Sequence, residues 1–470
     1  MRENNRLFSR RDIAKIIVPL IFQNLFAITI GMADSIMVAS YSGDAFAGVS
    51  LVNSLDVLLI TLFSSIATGG SVVLAQAMGQ NDRKLSCDSA KQLLYITTAI
   101  ATAISAMVLI LRTPLLNLLF GEVDHGVMVN ALSYFSIVAV SFPFLAVDSS
   151  VAAILRAQGD SMTSLKVSIF MNLLNIGGNA FFIFGLDMGS AGAALATLVS
   201  RIVGATIMTF IVRRPKRFIF IDKILSYRPN KDIIKSILKI GIPNGIENSL
   251  FQLGRLMTSS LVSSLGTVAI NANSAALSLA NIQYNVGGAV QNTMIAVVGR
   301  CVGANERKQA KHYTFRLLGI GYIAIFAVVG LTCLLSTPLL GMYSLTEDGF
   351  VTARQLLFYH GVASVIMWAT AFCLPSAFRA AGDIKFTMVI SIVSMWIFRV
   401  ALAYFLAKDR VSVFGLFGFE GLGMGVMGVW IAMTADWVVR ALIFTCELLS
   451  ERWLNHNLLI SQKANKKSSQ

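Results

Sequence analysis

The chain is 470 residues long, 56% hydrophobic and only 13% charged, with a mean hydropathy of +0.71 and a formal net charge of +14. Ordinary soluble domains carry about 25% charged residues, so this composition excludes a water-soluble globular protein. A charge of +14 on a soluble domain would suggest nucleic acid, but the basic residues gather at the ends of apolar runs, which excludes that partner too.

Stretches 92–111, 126–147, 167–186, 257–299 and 317–346 contain no charge at all. Each reaches or exceeds the roughly 20 residues that cross a hydrocarbon core. Breaks at Gly, Pro, Asn and charge clusters give twelve spans, at roughly 13–40, 46–77, 90–112, 127–152, 162–185, 190–212, 233–264, 270–299, 313–336, 352–377, 384–407 and 424–447. The expected organisation is an N-terminal segment (1–12), a first lobe of six spans (13–212), a linker (213–232), a second lobe (233–447) and a tail (448–470).

Positive residues fall at Arg2, Arg6, Arg10, Arg11 and Lys15, at Arg83, Lys84 and Lys91, between Arg213 and Lys239, at Arg307, Lys308 and Lys311, and in the tail at Lys463, Lys466 and Lys467. All lie on one side if twelve spans alternate; the exceptions to the pattern are Arg112 at the end of span 3, and Lys408 and Arg410 between spans 11 and 12. The opposite loops near 41–46, 185–190, 265–270 and 337–351 hold no Lys or Arg but carry Asp44, Asp187, Glu347 and Asp348. By the positive-inside rule both termini are cytoplasmic, in a plasma (inner) membrane, with the bilayer as the main partner. The basic start is read as part of span 1 rather than a cleaved signal, because its apolar run is long and flows on into a repeat.

That repeat runs the whole chain. Pro19-Leu20-Ile21-Phe22-Gln23-Asn24 recurs as Pro243-Asn244-Gly245-Ile246-Glu247-Asn248. Gly79-Gln80-Asn81-Asp82-Arg83-Lys84 recurs as Gly303-Ala304-Asn305-Glu306-Arg307-Lys308, and Arg156-Ala157-Gln158-Gly159-Asp160 as Arg379-Ala380-Ala381-Gly382-Asp383. Parallel repeats of hydrophobic helices are how many secondary transporters build two lobes around a path.

Within the spans, ionisable residues are costly in lipid and mark cavities or partners. Asp34 of span 1 has no basic residue within one turn. It can exchange a proton near neutral pH, bind Na⁺ when deprotonated, or be a buried structural acid. Asn172, Asn175 and Asn179 of span 5 share one helix face and can hold Asp34, ligate a cation or glue helices together. Asp56 in span 2 and His360 in span 10 are either cavity residues or locally satisfied. Glu247 in span 7 stands where the repeat has Gln23 in span 1; Asp34 corresponds to Thr258, about 16 Å of helix rise away, so the lobes are not interchangeable. An ion pair of Glu247 with Arg255 or another base is the bland alternative. Asp436 and Arg440, four residues apart on span 12, are expected to neutralise each other, with Arg399 of span 11 as a third member.

Enzymatic signatures are missing. There is no Walker phosphate loop and no His-Glu-x-x-His pair, and five scattered cysteines imply neither disulfides nor zinc. Gly423-Met424-Gly425-Val426-Met427-Gly428 matches a dinucleotide fingerprint, but no strand–helix–strand setting surrounds it. Its counterpart near Gly189 and Gly192 favours close helix approach at the start of spans 6 and 12.

Several of these motifs carry a resemblance. Pro19 and Gln23 with Ala33-Asp34-Ser35-Ile36-Met37-Val38, Ala75-Gln76-Ala77-Met78-Gly79, Leu155-Arg156-Ala157-Gln158-Gly159-Asp160, and Gly266-Thr267-Val268-Ala269-Ile270-Asn271 with Asn273 together resemble the multidrug and toxic compound extrusion (MATE) family, over about residues 10–450. The resemblance implies an all-α integral membrane protein of twelve transmembrane helices in two parallel six-helix repeats, V-shaped and two-lobed. It implies no enzyme, cofactor, nucleic acid or obligatory protein partner. Its implied work is efflux of cationic or amphipathic drugs by antiport with H⁺ or Na⁺ through alternating access; a lipid-linked precursor flippase of a related two-lobed fold is the alternative.

Asp34 matches the family's acid of span 1, and Asn175 the amide beside it. Where many prokaryotic members have an Asp, this chain has Asn179, which cannot titrate. The NorM-like branch has a carboxylate in span 10 that 352–377 lack, and Glu247 lies about one turn from that branch's acid in span 7. Ion coupling is therefore expected at Asp34, with Asn175, Asn179 and then Glu247, and the only metal expected is Na⁺ at Asp34. Gln23, Asn172, Asp56 and His360 are the candidates for the substrate cavity.

Overall fold

The computed structural model describes residues 6–455 except 122, 223–227, 344 and 414–416. The basic positions Arg2, Lys463, Lys466 and Lys467 lie outside the described residues. The helices follow in chain order: α1 (Arg10–Tyr41), α2 (Gly43–Gly79), α3 (Arg83–Phe120), α4 (His125–Val140), α5 (Phe142–Ala157), α6 (Ser161–Asn179), α7 (Gly189–Val212), α8 (Lys231–Ser263), α9 (Thr267–Gly303) and α10 (Arg307–Leu334). The short α11 (Ser336–Gly341) follows, then α12 (Glu347–Ala363), α13 (Leu374–Ala381), α14 (Ile384–Ser394), α15 (Leu402–Ala407) and α16 (Gly425–Ser450).

Among the described residues, nine helical runs are long and apolar enough to cross a membrane, and α4 and α5, bent by 48°, join as a tenth. The remaining two are α8 and α9, at 33 and 37 residues long enough to cross but polar, α8 through its charges and α9 through its Asn and Gln. Twelve spans result. Such polar spans survive because side chains satisfy themselves locally: the amides of Asn285 and Asn292 bond the carbonyls of Asn281 and Gly288 one turn back. The same economy holds in α2, where Ser50, Ser54, Thr61 and Ser65 each bond a carbonyl four residues earlier.

The repeat is written into the backbone. Asn81 and Asn305 both take left-handed conformations, φ 56° and 59°, and both are followed by an N–H bonded back to a carbonyl five residues earlier, Asp82 to Ala77 and Glu306 to Cys301. Gly159 and Gly382 repeat the device at φ 82° and 105°. Even the distortions recur: span 4 breaks at Ser141, and span 10 turns π-helical from Ser364 to Cys373 at the matching place. Spans 5 and 11 carry π-helical segments at Ala180–Gly185 and Met395–Ala401.

The chain divides into two compact units, 1–245 and 246–470, with the boundary inside α8. In the first unit α2 is the hub, packed on α3, α4 and α5, while α1 packs on α6. Its core includes Val52, Phe63, Phe135, Phe142 and Ile183. In the second unit α9 holds the hub position against α10, α12 and α13. Each unit fastens a following segment to its own Arg-Lys loop. Arg83 donates to the carbonyls of Pro215, Arg217 and Phe218. In the second unit Lys311 pairs with Glu451, and Arg307 donates to Asn455 at 3.0 Å. Arg217 closes the first fastening on Asp160 at 2.7 Å. Burial works against the Asp160 charge, yet hydrogen bonds from Thr163 and Arg217 outweigh it and hold the carboxyl below its ordinary range.

Gly192 and Gly428 answer the fingerprint question. A Cβ on Gly192 would lie 2.9 Å from the Phe182 carbonyl, and one on Gly428 2.8 Å from the Leu406 carbonyl. These glycines are 236 residues apart rather than about 224, because a two-stranded hairpin, β1 (Arg410–Val413) with β2 (Phe417–Glu420), lengthens the loop before α16. That hairpin is the one sheet among the described residues. Gly428→Leu is expected to destabilise the fold by about 1–3 kcal/mol through overpacking, read as a lower melting temperature in detergent; an unchanged melting curve would show that α15 yields freely.

Candidate functional site

In the first unit, α1 brings Asp34 against α6, whose amide face was visible in the sequence. Asn179 Nδ2 donates to Asp34 Oδ1 at 2.6 Å. Asn175, with its nitrogen turned to the carboxylate, donates to both oxygens at 2.8 and 3.1 Å; its other end meets Thr197 Oγ1 at 3.3 Å. Both amides are buried, at 7% and 1% exposure. Among the described residues no Lys, Arg or His comes within ion-pair distance of Asp34. A carboxylate in an apolar span is thus held by two neutral donors and no counter-charge.

Asn172 takes no part in this. Its amide lies 3.5 Å from Ser168 Oγ on its own helix. Gln23 is half-buried, with Oε1 out of water and without a hydrogen-bond partner. Asp56 is tied up: Arg201 Nη2 of α7 reaches its Oδ2 at 3.2 Å, while Arg201 Nη1 donates to Ser141 Oγ at 2.6 Å. Its other oxygen, Oδ1, is buried with no hydrogen-bond partner among the described residues.

In the second unit Glu247 pairs with Arg379, Nη2 to Oε1 2.6 Å, and not with Arg255. Arg379 opens the third repeat anchor, so its position was conspicuous in the sequence although its partnership was not. Among the described residues Glu247 Oε2 and Arg379 Nε are buried without partners. Both side chains line a cavity of about 170 Å³ with Asn248, Phe251, Gln291, Phe372, Trp396 and Arg440.

Asp436 and Arg440 form the expected pair at 2.7 Å, and both are buried. Ser394 donates to Asp436 Oδ1 at 2.6 Å and Arg440 Nη2 to the Ser391 carbonyl at 2.8 Å. The expected third member, Arg399, is not an ion-pair partner of Asp436. Its guanidinium lies over Phe251, 5.3 Å from the ring centre, because the π-helical turn at Met395–Ala401 carries it there. His360 is buried, 1% exposed. Tyr284 Oη lies 3.0 Å from Nε2, Ser364 Oγ 3.4 Å from Nδ1, and Trp430 and Trp437 meet the ring edge-on.

Among the described residues no group of three or more His, Cys, Asp or Glu gathers as a metal site. The long-range partners Arg201, Arg379 and Thr197 were missed by sequence reading. The available signal was the count of in-span Arg against in-span acids, which requires pairing without saying which with which.

Comparison with known proteins gives matches along most of the chain. The family model described as MatE matches residues 19–181 and 243–405, two matches whose ends both lie 224 residues apart. An "Uncharacterized transporter YisQ" of Bacillus subtilis is 27% identical over 94% of each chain. A "Probable multidrug resistance protein NorM" of Thermotoga maritima is 25% identical, covering 97% of this chain and 95% of its own. Among solved structures, an outward-facing MATE family transporter of the MOP superfamily superposes with a TM-score of 0.85 at 18% identity, covering 94% and 96% of the two chains.

Proposed function

We propose that this chain, which belongs to the MatE family, is a multidrug efflux transporter that expels cationic or amphipathic compounds by antiport, coupled at Asp34. It works in the cell membrane with both termini cytoplasmic. The observation that carries the reading is the Asp34 carboxylate, held by Asn175 and Asn179 in an apolar span with no counter-charge among the described residues. A carboxylate so placed binds an ion without competition from a resident base.

H⁺ suits the site better than Na⁺. Sodium wants several oxygen ligands, whereas the ionised carboxylate here faces amide nitrogens. Asn175 can answer either protonation state: its nitrogen serves the ionised acid, and the same amide turned over offers oxygen to the protonated one. Uptake of a proton then rearranges the contact between α1 and α6, and alternating access follows if ion and drug favour different states.

Ethidium efflux from proteoliposomes with H⁺ and Na⁺ gradients imposed separately tests this. Efflux is expected to follow the H⁺ gradient and ignore Na⁺. Dependence on Na⁺ alone would reject the proton assignment, and no response to either gradient would reject coupled efflux.

A further inference from the structure

The interior of the second unit carries surplus positive charge. Glu247 with Arg379 and Asp436 with Arg440 cancel as pairs. Arg399 and Arg255 have no carboxylate partner among the described residues. Arg399 is 8% exposed, and its guanidinium makes no ion pair among the described residues. Arg399 and Arg440 lie 5.3 and 5.6 Å from the centre of the same Phe251 ring. A buried cation in such company is costly unless an anion compensates it.

The 170 Å³ cavity opens beside this cluster, lined by Arg379, Arg440 and Glu247 together with the rings of Phe251, Phe372 and Trp396. Arg379 Nε is buried there with its donor unused. Drug-sized ligands occupy pockets of roughly 300–1,000 Å³, so this space fits a smaller molecule. Guanidinium donors next to aromatic walls recognise a planar acid: the charged end meets Arg and the ring stacks on Phe and Trp.

We propose that this cavity binds a compact aromatic carboxylate of the single-ring class, the carboxylate toward Arg379 and Arg440 and the ring among Phe251, Phe372 and Trp396. This extends the cargo beyond cations, and its role as cargo rests on the efflux reading above. The rival occupant, a cation at the second oxygen of Glu247, faces repulsion from Arg379, which already holds the first oxygen, and from the surplus charge behind it.

Benzoate, benzamide and benzylammonium are titrated into the full-length protein in lipid nanodiscs, read by calorimetry and by fluorescence from Trp396. Benzoate is expected to bind saturably, and neutral benzamide at least about tenfold more weakly, the loss of one charge-assisted contact. Arg399→Gln is expected to weaken benzoate, with Arg399→Lys retaining most of the affinity. Glu247→Gln is expected to tighten it, because it frees Arg379; a cation site would lose its ligand instead. Preference for benzylammonium, equal binding of benzamide, or looser benzoate binding in Glu247→Gln would overturn the proposal. If Arg399→Gln fails to fold, the opposite signs expected at Glu247 still decide. The titration needs no gradient, so absent benzoate binding with intact ethidium efflux strikes this proposal alone, and the reverse strikes only the efflux reading.

Discussion

Asp34→Asn is expected to abolish gradient-driven ethidium efflux while leaving the protein folded. The substitution keeps the shape of the side chain and can still accept from Asn179, now 2.6 Å from Oδ1. It removes only the charge and the ability to bind a proton. Coupling between two ligands of one transporter is worth about 1–3 kcal/mol, or 5- to 150-fold in affinity. The drug affinity of wild type is therefore expected to change by a factor in that range between pH values that load and empty Asp34, and that of the variant to stay flat. Drug binding at equilibrium and transport under a gradient are both needed, because a variant that merely misfolds loses both. Efflux at the wild-type rate in Asp34→Asn would move the coupling elsewhere, with Glu247 next to examine.

Asn179 sharpens the same test. It donates to Asp34 in the structure. Asn179→Asp would set a second carboxylate beside the first, and two adjacent carboxylates resist joint ionisation. Antiport in that variant is expected to persist with an altered pH profile, whereas Asp34→Asn has no carboxylate left to titrate.

The parts of this molecule legible in its sequence are those governed by local rules. Twelve spans follow from apolar length together with breaks at Gly, Pro, Asn and charge clusters, and the duplication from motifs such as Gly79 to Lys84 and Gly303 to Lys308, whose Asn81 and Asn305 share one left-handed turn. Asn175 and Asn179 were legible as a stripe because helical spacing puts them on one face. Partners were not legible. Asn179 meets Asp34 across 145 residues of chain, Arg201 meets Asp56 across 145 and Arg379 meets Glu247 across 132. Periodicity says nothing about which helices adjoin. Arg399 shows the other limit: it was expected as a third member of the Asp436–Arg440 pair, and the π-helical turn that carries it to Phe251 has no signature in residue types.

Arg440→Met is expected to be among the most destabilising single substitutions in the second unit. Asp436 is 0% exposed and Arg440 3%, so removing the arginine strands a carboxylate in a medium that cannot solvate it, with the Ser394 hydroxyl its main remaining donor. Breaking such a buried pair costs about 3–5 kcal/mol. The Ser391 carbonyl also loses its donor. Replacing both partners, Asp436→Leu with Arg440→Met, removes the stranded charge and is expected to recover most of the loss, since a buried pair exchanged for apolar groups of similar volume is often neutral. Chemical unfolding of the three proteins in the same micelle measures both quantities. Single and double variants equally unstable would mean that the pair acts through Ser391 and Ser394 in holding span 11 against span 12, and not through its charge balance.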